Sequence, residues 1–170
     1  MNFNGKKTAL AVSLATAVVF AASPAKALDT AFNATMNILT ALAVTKTADL
    51  GFGNYEAGVV TTVVVAPADA TAATFDITAG SAAAPVNLSI VETAGINMTT
   101  GAGLLPSEQI PVATWVFGGS ATDAGGGTGT ATLDGLGQLT NIRVGGTATL
   151  DGTDIVGAYS GAATFRVVYQ

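Results

Sequence analysis

The chain has 170 residues, with no histidine, no cysteine, six lysines and arginines against eleven acidic residues, and a net charge of −5. Histidine is the commonest general base and metal ligand, so its absence excludes a serine triad of the usual form. Cysteine is the strongest nucleophile, and its absence excludes disulfides and thiol redox chemistry. The few cations cannot form the basic stripe that nucleic acid requires or attract an anionic membrane surface. We predict no enzyme activity, no cofactor, no metal ion and no nucleic-acid partner.

The N-terminal 27 residues have the pattern of a secretory signal peptide. A basic start precedes an apolar run over residues 8–22, and Ala25, Lys26 and Ala27 form a small-x-small cleavage site. The run is shorter than the roughly 20 residues of a membrane span. We therefore predict cleavage before Leu28 and no membrane insertion of the mature chain, which keeps three cations against eleven acidic residues and has a net charge of −8.

The next segment has the alternation of a strand with one apolar face. In residues 32–38 the even positions are apolar and the odd positions polar. The apolar members are Phe32, Ala34, Met36 and Ile38. The same parity continues through Leu42 and Val44. Because one strand over residues 31–47 would exceed the usual strand length, we expect two strands or one strand with an extension.

Short apolar stretches separated by glycine and proline follow along the rest of the chain. Residues 59–65 form a nearly continuous β-branched run, which predicts a strand buried on both faces or packed at an interface. Further strands are predicted around residues 75–77, 86–90, 112–117 and 139–144. Many short strands with frequent turn signals predict an all-β fold, an immunoglobulin-like antiparallel β-sandwich.

Three local motifs have a functional and a structural interpretation, and the structural one is favoured in each. The glycine-rich stretch 118–129 lacks the helix and lysine of a phosphate loop and predicts a flexible or tightly turning surface loop. Residues 151–154 (Asp-Gly-Thr-Asp) predict a turn, with calcium binding left open. Trp115 is expected in the core or against a sheet rather than in contact with sugar or peptide.

The last fourteen residues predict a terminal strand. Alternate positions from Tyr159 to Tyr169 are apolar or small, and Gly157 precedes them. A strand of this kind needs something to cover its apolar face and its edge. Which segment supplies that cover is the central functional question.

Motifs at residues 45–53, 73–80, 144–147 and 157–161, followed by the terminal strand, resemble those of the DUF4402 family of exported bacterial β-sandwich proteins. The resemblance covers nearly the whole chain after residue 27. It implies the sandwich fold and export, and it implies no particular activity.

The C-terminal pattern also resembles that of pilus subunits of the chaperone–usher type. The resemblance implies a strand that a periplasmic chaperone holds and that later borders a groove filled by the next subunit's N-terminal extension. The residues implied for this strand and groove edge are Gly157, Tyr159, Phe165, Val167 and Tyr169. The implied donor side chains are Phe32, Ala34, Met36 and Ile38.

We therefore expect residues 28–38 to be an N-terminal extension or donor strand and residues 39–170 to be the sandwich domain. The extension spans about 35 Å when extended, enough to cross a groove. The expected function is a structural subunit of an extracellular filament, polymerising with copies of itself, with a periplasmic chaperone and an outer-membrane usher as partners on the way to the cell surface. Two alternatives stay open: a monomeric secreted or surface-attached binding module in which residues 32–38 form its own first strand, and a glycosidase built on paired carboxylates.

Overall fold

The computed structural model of the protein describes residues 29–170. The predicted signal peptide and Leu28 lie outside this range. The chain divides into two units, one ending at Met36 and the other running from Asn37 to Gln170. Residues 29–36 of the first unit are exposed and have no regular secondary structure, and the second unit contains all of the described strands.

The described residues form ten strands and one three-residue 3₁₀ turn (Pro106–Glu108). The strands are β1 (Ala43–Ala48), β2 (Val60–Val65), β3 (Ala73–Ala79), β4 (Pro85–Ile90), β5 (Ile96–Thr99), β6 (Gln109–Gly119), β7 (Thr122–Gly125), β8 (Thr128–Thr132), β9 (Leu139–Asp151) and β10 (Phe165–Tyr169). All strand pairs are antiparallel and form two packed sheets, which confirms the predicted all-β sandwich. Within residues 29–170 there is no helix of the length and apolar character that crossing a membrane requires.

The larger sheet is organised around β9. Its strand order is β1-β3-β9-β6-β5, and β2 also pairs with β9. Along one side of β9, Leu139 lies opposite Ile77 of β3, and Asp151 at the other end lies opposite Val60 of β2. Strands β3 and β2 therefore share one side of β9 in succession, while β6 occupies the other side.

The smaller sheet has the order β10-β4-β8-β7. It packs on the part of the larger sheet near the start of β9, where Phe165 of β10 stacks on Phe75 of β3. Farther along β9, the inner face is bordered instead by the irregular segments 50–57 and 154–159. The sandwich is thus closed by strands over only part of its length.

The core forms where alternating apolar positions of the two sheets meet. In β4, Val86, Leu88 and Ile90 face inward and are buried, as the sequence pattern predicts. The largest fully buried side chains are Ile77, Leu88, Ile142, Val86 and Val112. The predicted strands around residues 75–77, 86–90, 112–117 and 139–144 are all confirmed.

Of the two predictions for residues 59–65, burial on both faces is wrong, and packing at an interface stays a prediction. Strand β2 pairs only with β9 among the described strands, and Val60 and Val64 on its outer face are 76% and 64% exposed. Thr61 and Val63 alternate with them and are partly buried. The run is an edge strand, which covers the core with one face.

The two ends of the described chain also differ from expectation. Residues 32–38 form no strand, and the first strand starts only at Ala43. At the other end the predicted strand from Gly157 is shorter, because only Phe165–Tyr169 pair with β4. Ser160 instead forms an isolated bridge with Thr99 at the end of β5, so the hydrogen-bonding partner changes within the predicted strand.

Candidate functional site

The C-terminal segment crosses from one sheet to the other. Ser160 and Thr99 exchange two backbone hydrogen bonds of 2.8 and 3.0 Å at the edge of the larger sheet. Five residues later, Phe165 lies opposite Ile90 in the smaller sheet. Residues 160–165, which we call the crossing segment, therefore bridge the two sheets.

Small residues let this part of the chain lie close to the larger sheet. A Cβ atom on Gly157 would lie 2.3 Å from Thr100 Oγ1, and a Cβ atom on Gly161 would lie 2.9 Å from the carbonyl oxygen of Asn97. Both distances are shorter than ordinary non-bonded contacts. Glycine is therefore needed at both positions for close packing.

Glu92 fixes the end of the crossing segment. Its carboxylate accepts hydrogen bonds from the backbone N–H of Thr164 at 2.7 Å and from Thr164 Oγ1 at 3.0 Å. The backbone donation from Thr164 is the main reason that the pKa of Glu92 lies below its ordinary value. The Glu92 carbonyl oxygen accepts a 2.8 Å hydrogen bond from Trp115 Nε1. Glu92 thus connects the crossing segment to the buried indole of Trp115.

Trp115 reaches the core through a bulge in β6. The register between β6 and β9 shifts between Ala113 and Val116, and Thr114 has a φ of 56°. A bulge of this kind re-aims a side chain. Trp115 is 4% exposed and packs against Gly146 of β9, which confirms the predicted core role.

Tyr159 anchors the chain before the crossing segment. Its hydroxyl lies 2.9 Å from each of the carbonyl oxygens of Ser107 and Ile155, which share its single proton as acceptors. Burial raises the pKa of Tyr159, and the negative charge of Asp154 adds to the increase. The ring stays neutral at physiological pH and holds the segment against the 3₁₀ turn.

Strand β10 begins with Phe165, which packs against two other aromatic rings. Its ring centroid lies 4.4 Å from that of Phe75 and 6.1 Å from that of Phe117. Val167 packs on the core. Tyr169 marks the other end of β10, where its hydroxyl accepts a 2.7 Å hydrogen bond from the Ser81 N–H and donates a 2.6 Å hydrogen bond to the Thr40 carbonyl oxygen.

Two neighbouring cavities of about 430 and 460 Å³ lie along the inner face of the larger sheet. They share four lining residues: Leu50, Phe52, Met98 and Tyr159. The first extends to Phe165 and Val144, and the second to Gly157 and Leu150. We call these two adjacent cavities the groove.

The groove brings together three of the five residues predicted for the groove edge, namely Gly157, Tyr159 and Phe165. Val167 and Tyr169 do not line either cavity. The predicted donor side chains are all exposed, with Phe32 and Met36 at 88% and Ile38 at 86%, and Ala34 is exposed as well.

Several residues that shape the groove were not predicted. Leu50 and Phe52 lie within the motif at residues 45–53, so this motif could have been used to predict them as groove residues. Nothing in the local sequence marks Glu92 as a partner of Thr164, because the two are 72 residues apart.

The two polar motifs adopt structural roles. Asp151 Oδ1 accepts 2.8 Å hydrogen bonds from both the N–H and Oγ1 of Thr153, which confirms the predicted turn and lowers the pKa of Asp151. In residues 29–170 no three acidic side chains group as a metal site would require. The prediction that the glycine-rich stretch 118–129 is a surface loop is wrong for most of its length, because it contains the end of β6, all of β7 and the start of β8. Gly125, Gly126 and Gly127 all have positive φ and form the tight connection between β7 and β8.

No protein-family model, no curated protein and no solved structure matches the chain. The resemblances to the DUF4402 family and to pilus subunits therefore stay predictions from the sequence.

Proposed function

We propose that the protein is an exported structural subunit that polymerises head to tail, with residues 28–38 of one copy inserted into the groove of the next. The single observation that carries the proposal is the groove itself. It is a partly open, unfilled stretch along the inner face of the larger sheet beside the C-terminal segment, mainly apolar in its first cavity and mixed in its second. The same chain has an exposed segment whose apolar side chains alternate as those of an inserted strand would.

The lengths of the donor segment and the groove agree. Val144 lines the first cavity and Leu150 the second, and both belong to β9. Six residues of strand extend about 20 Å. Phe32 and Ile38 are also six residues apart, so an extended donor places its first and last apolar side chains at the two ends of the groove.

The volumes support the same assignment. A buried apolar cavity of about 150 Å³ accommodates benzene. The first cavity, at about 430 Å³, has room for the ring of Phe32 and a further side chain, and the second, at about 460 Å³, has room for Met36 and Ile38.

Hydrophobic burial and backbone pairing would act together. Burying Phe32, Met36 and Ile38 contributes about 1.5–3 kcal/mol each, or roughly 5–9 kcal/mol in total. Association costs an estimated 4–15 kcal/mol in lost freedom of motion. Main-chain hydrogen bonds along a strand edge are therefore needed as well, as in other cases of strand addition.

The direction of the chain favours an open filament. Thr40 is hydrogen-bonded to Tyr169 and Ser81, close to the end of β3 that lies beside Leu139. The second cavity lies near Leu150, eleven residues along β9 and about 36 Å away. A donor leaving one end of a subunit and a groove opening near the other give a head-to-tail contact, which generates filaments.

The proposal includes export through the periplasm to the cell surface, assisted by a chaperone and an usher. It is supported by the signal-peptide pattern and by the acidic mature chain, whose charge favours solubility during export. A chaperone would occupy the groove until the next subunit's donor replaces it.

A second candidate function is a monomeric binding module. It is favoured by the size of the cavities, since pockets for small molecules measure about 300–1,000 Å³. In this alternative the groove binds a small apolar ligand. Its expected first strand over residues 32–38 is not present among the described strands.

The experiment compares the chain starting at Leu28 with a donor variant that carries Phe32→Ser, Met36→Ser and Ile38→Ser. The expected result is that the unmodified chain forms a ladder of oligomers in sedimentation and electron microscopy. The donor variant should give no ladder of larger oligomers, with an unchanged β-sheet circular dichroism spectrum, because it loses the apolar side chains that fill the groove.

A matched control replaces the polar face of the same segment, with Asn33→Ser, Thr35→Ser and Asn37→Ser. It should assemble like the unmodified chain. Equal assembly by the donor variant would overturn the proposal. A chain that stays monomeric at all concentrations and is stabilised by an apolar ligand would favour the binding module instead.

A further inference from the structure

Strand β2 has an unusually unprotected edge. It pairs with β9 without any register shift, and its other edge has no strand partner within residues 29–170. It contains only valine and threonine, and Val60, Thr62 and Val64 on its outer face are exposed. A flat, uncharged edge of this composition favours pairing with another strand.

The other edge strands carry features that discourage such pairing. Strand β1 has Lys46 and two register shifts, and β7 has Asp123 and one shift. Strand β10 has Arg166 on its outer face. Strand β5 is bridged at Thr99 by Ser160. Charges, bulges and coverage are the usual protections of an edge, and β2 has none of them.

The outer face of β2 is self-complementary. Read in either direction, it presents valine, threonine and valine, at positions 60, 62 and 64. Two antiparallel copies centred on Thr62 place Val60 opposite Val64 of the second copy and the two threonines opposite each other. Opposed β-branched and threonine pairs are favourable, and no charge opposes them.

We infer that β2 is a side-to-side contact between two copies of this chain, in which the two strands pair antiparallel about a two-fold axis at Thr62. The pairing joins two six-stranded sheets into one continuous sheet. It is isologous, so it is distinct from the head-to-tail contact through the groove, and it supplies lateral association between subunits or filaments. It does not depend on the donor segment.

Disulfide trapping tests this contact, and the absence of native cysteine makes the readout unambiguous. In the chain from Leu28, Thr62→Cys should form disulfide-linked dimers under mild oxidation, because opposed side chains at the two-fold have Cβ atoms about 4.5–5.5 Å apart. The matched control is Thr149→Cys. Thr149 is exposed and lies beside Thr62 on β9, one strand farther from the axis.

In the paired dimer two Thr149→Cys thiols would be three strand spacings, about 14 Å, apart. Because a disulfide requires Cβ atoms much closer than this, the Thr62→Cys dimer should form on the order of tenfold faster than the Thr149→Cys dimer at equal concentration. In the chain with Phe32, Met36 and Ile38 changed to serine, which removes the head-to-tail contact, Thr62→Lys places like charges opposite each other. It should abolish concentration-dependent dimerisation in sedimentation while the thermal unfolding midpoint stays unchanged. Equal rates for the two cysteine variants, or unchanged dimerisation of Thr62→Lys, would overturn the inference.

Repeating the trapping with Phe32, Met36 and Ile38 all changed to serine separates the two contacts. The Thr62→Cys dimer should still form in that background, whether or not the head-to-tail assembly proposed above is correct. If trapping requires the intact donor segment, the β2 contact is not an independent interface and the inference fails.

Discussion

Replacing Gly157 with alanine measures how tightly the chain before the crossing segment packs on the larger sheet. The added Cβ atom would lie 2.3 Å from Thr100 Oγ1 and 3.2 Å from Thr100 Cβ. A β-branched side chain has few χ1 alternatives, so relief requires a backbone shift. Overpacking of this kind costs about 1–3 kcal/mol of unfolding free energy.

A glycine-to-alanine substitution would increase the unfolding free energy at a position without such a close contact. Where the backbone and the space permit it, glycine to alanine stabilises by about 0.4–1 kcal/mol, because the unfolded chain loses conformational freedom. Gly135 provides the matched control, since its φ is not positive and a Cβ atom added there would meet no other atom within 4 Å. Gly157→Ala should therefore destabilise, while Gly135→Ala should be neutral or stabilising.

Thermal unfolding followed by circular dichroism gives the magnitude. For a domain of this size 1 kcal/mol corresponds to about 3–5 °C, so Gly157→Ala should lower the midpoint by roughly 3–15 °C. Thr100→Ala removes Oγ1 and Cγ2, and in the double variant it should restore most of the loss. Equal stability of Gly157→Ala and Gly135→Ala, or losses at Gly157 and Thr100 that simply add, would refute the close contact as the cause.

Two further predictions concern the hydrogen bonds that hold β10. Tyr169→Phe removes the hydroxyl between Ser81 and Thr40 and should lower the unfolding free energy by about 1–2 kcal/mol in urea titrations, and an unchanged midpoint would contradict this. The hydrogen bonds from Thr164 make the pKa of Glu92 lower in the folded state than in the unfolded state. The stabilisation they give is therefore fully present at pH values above the ordinary glutamate pKa of about 4.3, and it is lost as the pH falls through the lowered pKa. Glu92→Gln keeps an acceptor but removes this titration, and the stability difference from the unmodified chain should shrink between neutral pH and strongly acidic pH. A difference that stays constant would count against the assignment.

The period-two pattern predicted β3, β4, β6 and β9 because each has one face that the opposite sheet covers. Strand β8 was missed because its buried position is Gly129, which leaves room for the ring of Phe117 and contributes no apolar side chain to the pattern. A pattern of apolar side chains detects only strands that fill the core themselves.

The same pattern does not identify a strand's partner. Alternation continues without interruption from Tyr159 to Tyr169, although the hydrogen-bonding partner changes from β5 to β4 within it. The valine-rich run at residues 59–65 shows strong β propensity, but its position at a sheet edge depends on the length of β9. Three of the five predicted groove residues reach the groove because Gly157 and Tyr159 lie just before the change of partner and Phe165 just after it.

Thiol cross-linking tests whether residues 28–38 of one copy fill the groove of a neighbouring copy. Ala34→Cys places one thiol in the donor segment, and Ala162→Cys places another beside the first cavity, in a chain with no native cysteine. With a short bis-maleimide, the double variant should give a covalent ladder of many subunits on a denaturing gel, and a mixture of the two single variants should give a cross-linked dimer. Only internally cross-linked monomer from the double variant, with no dimer from the mixture, would show that the donor segment does not enter a neighbour's groove.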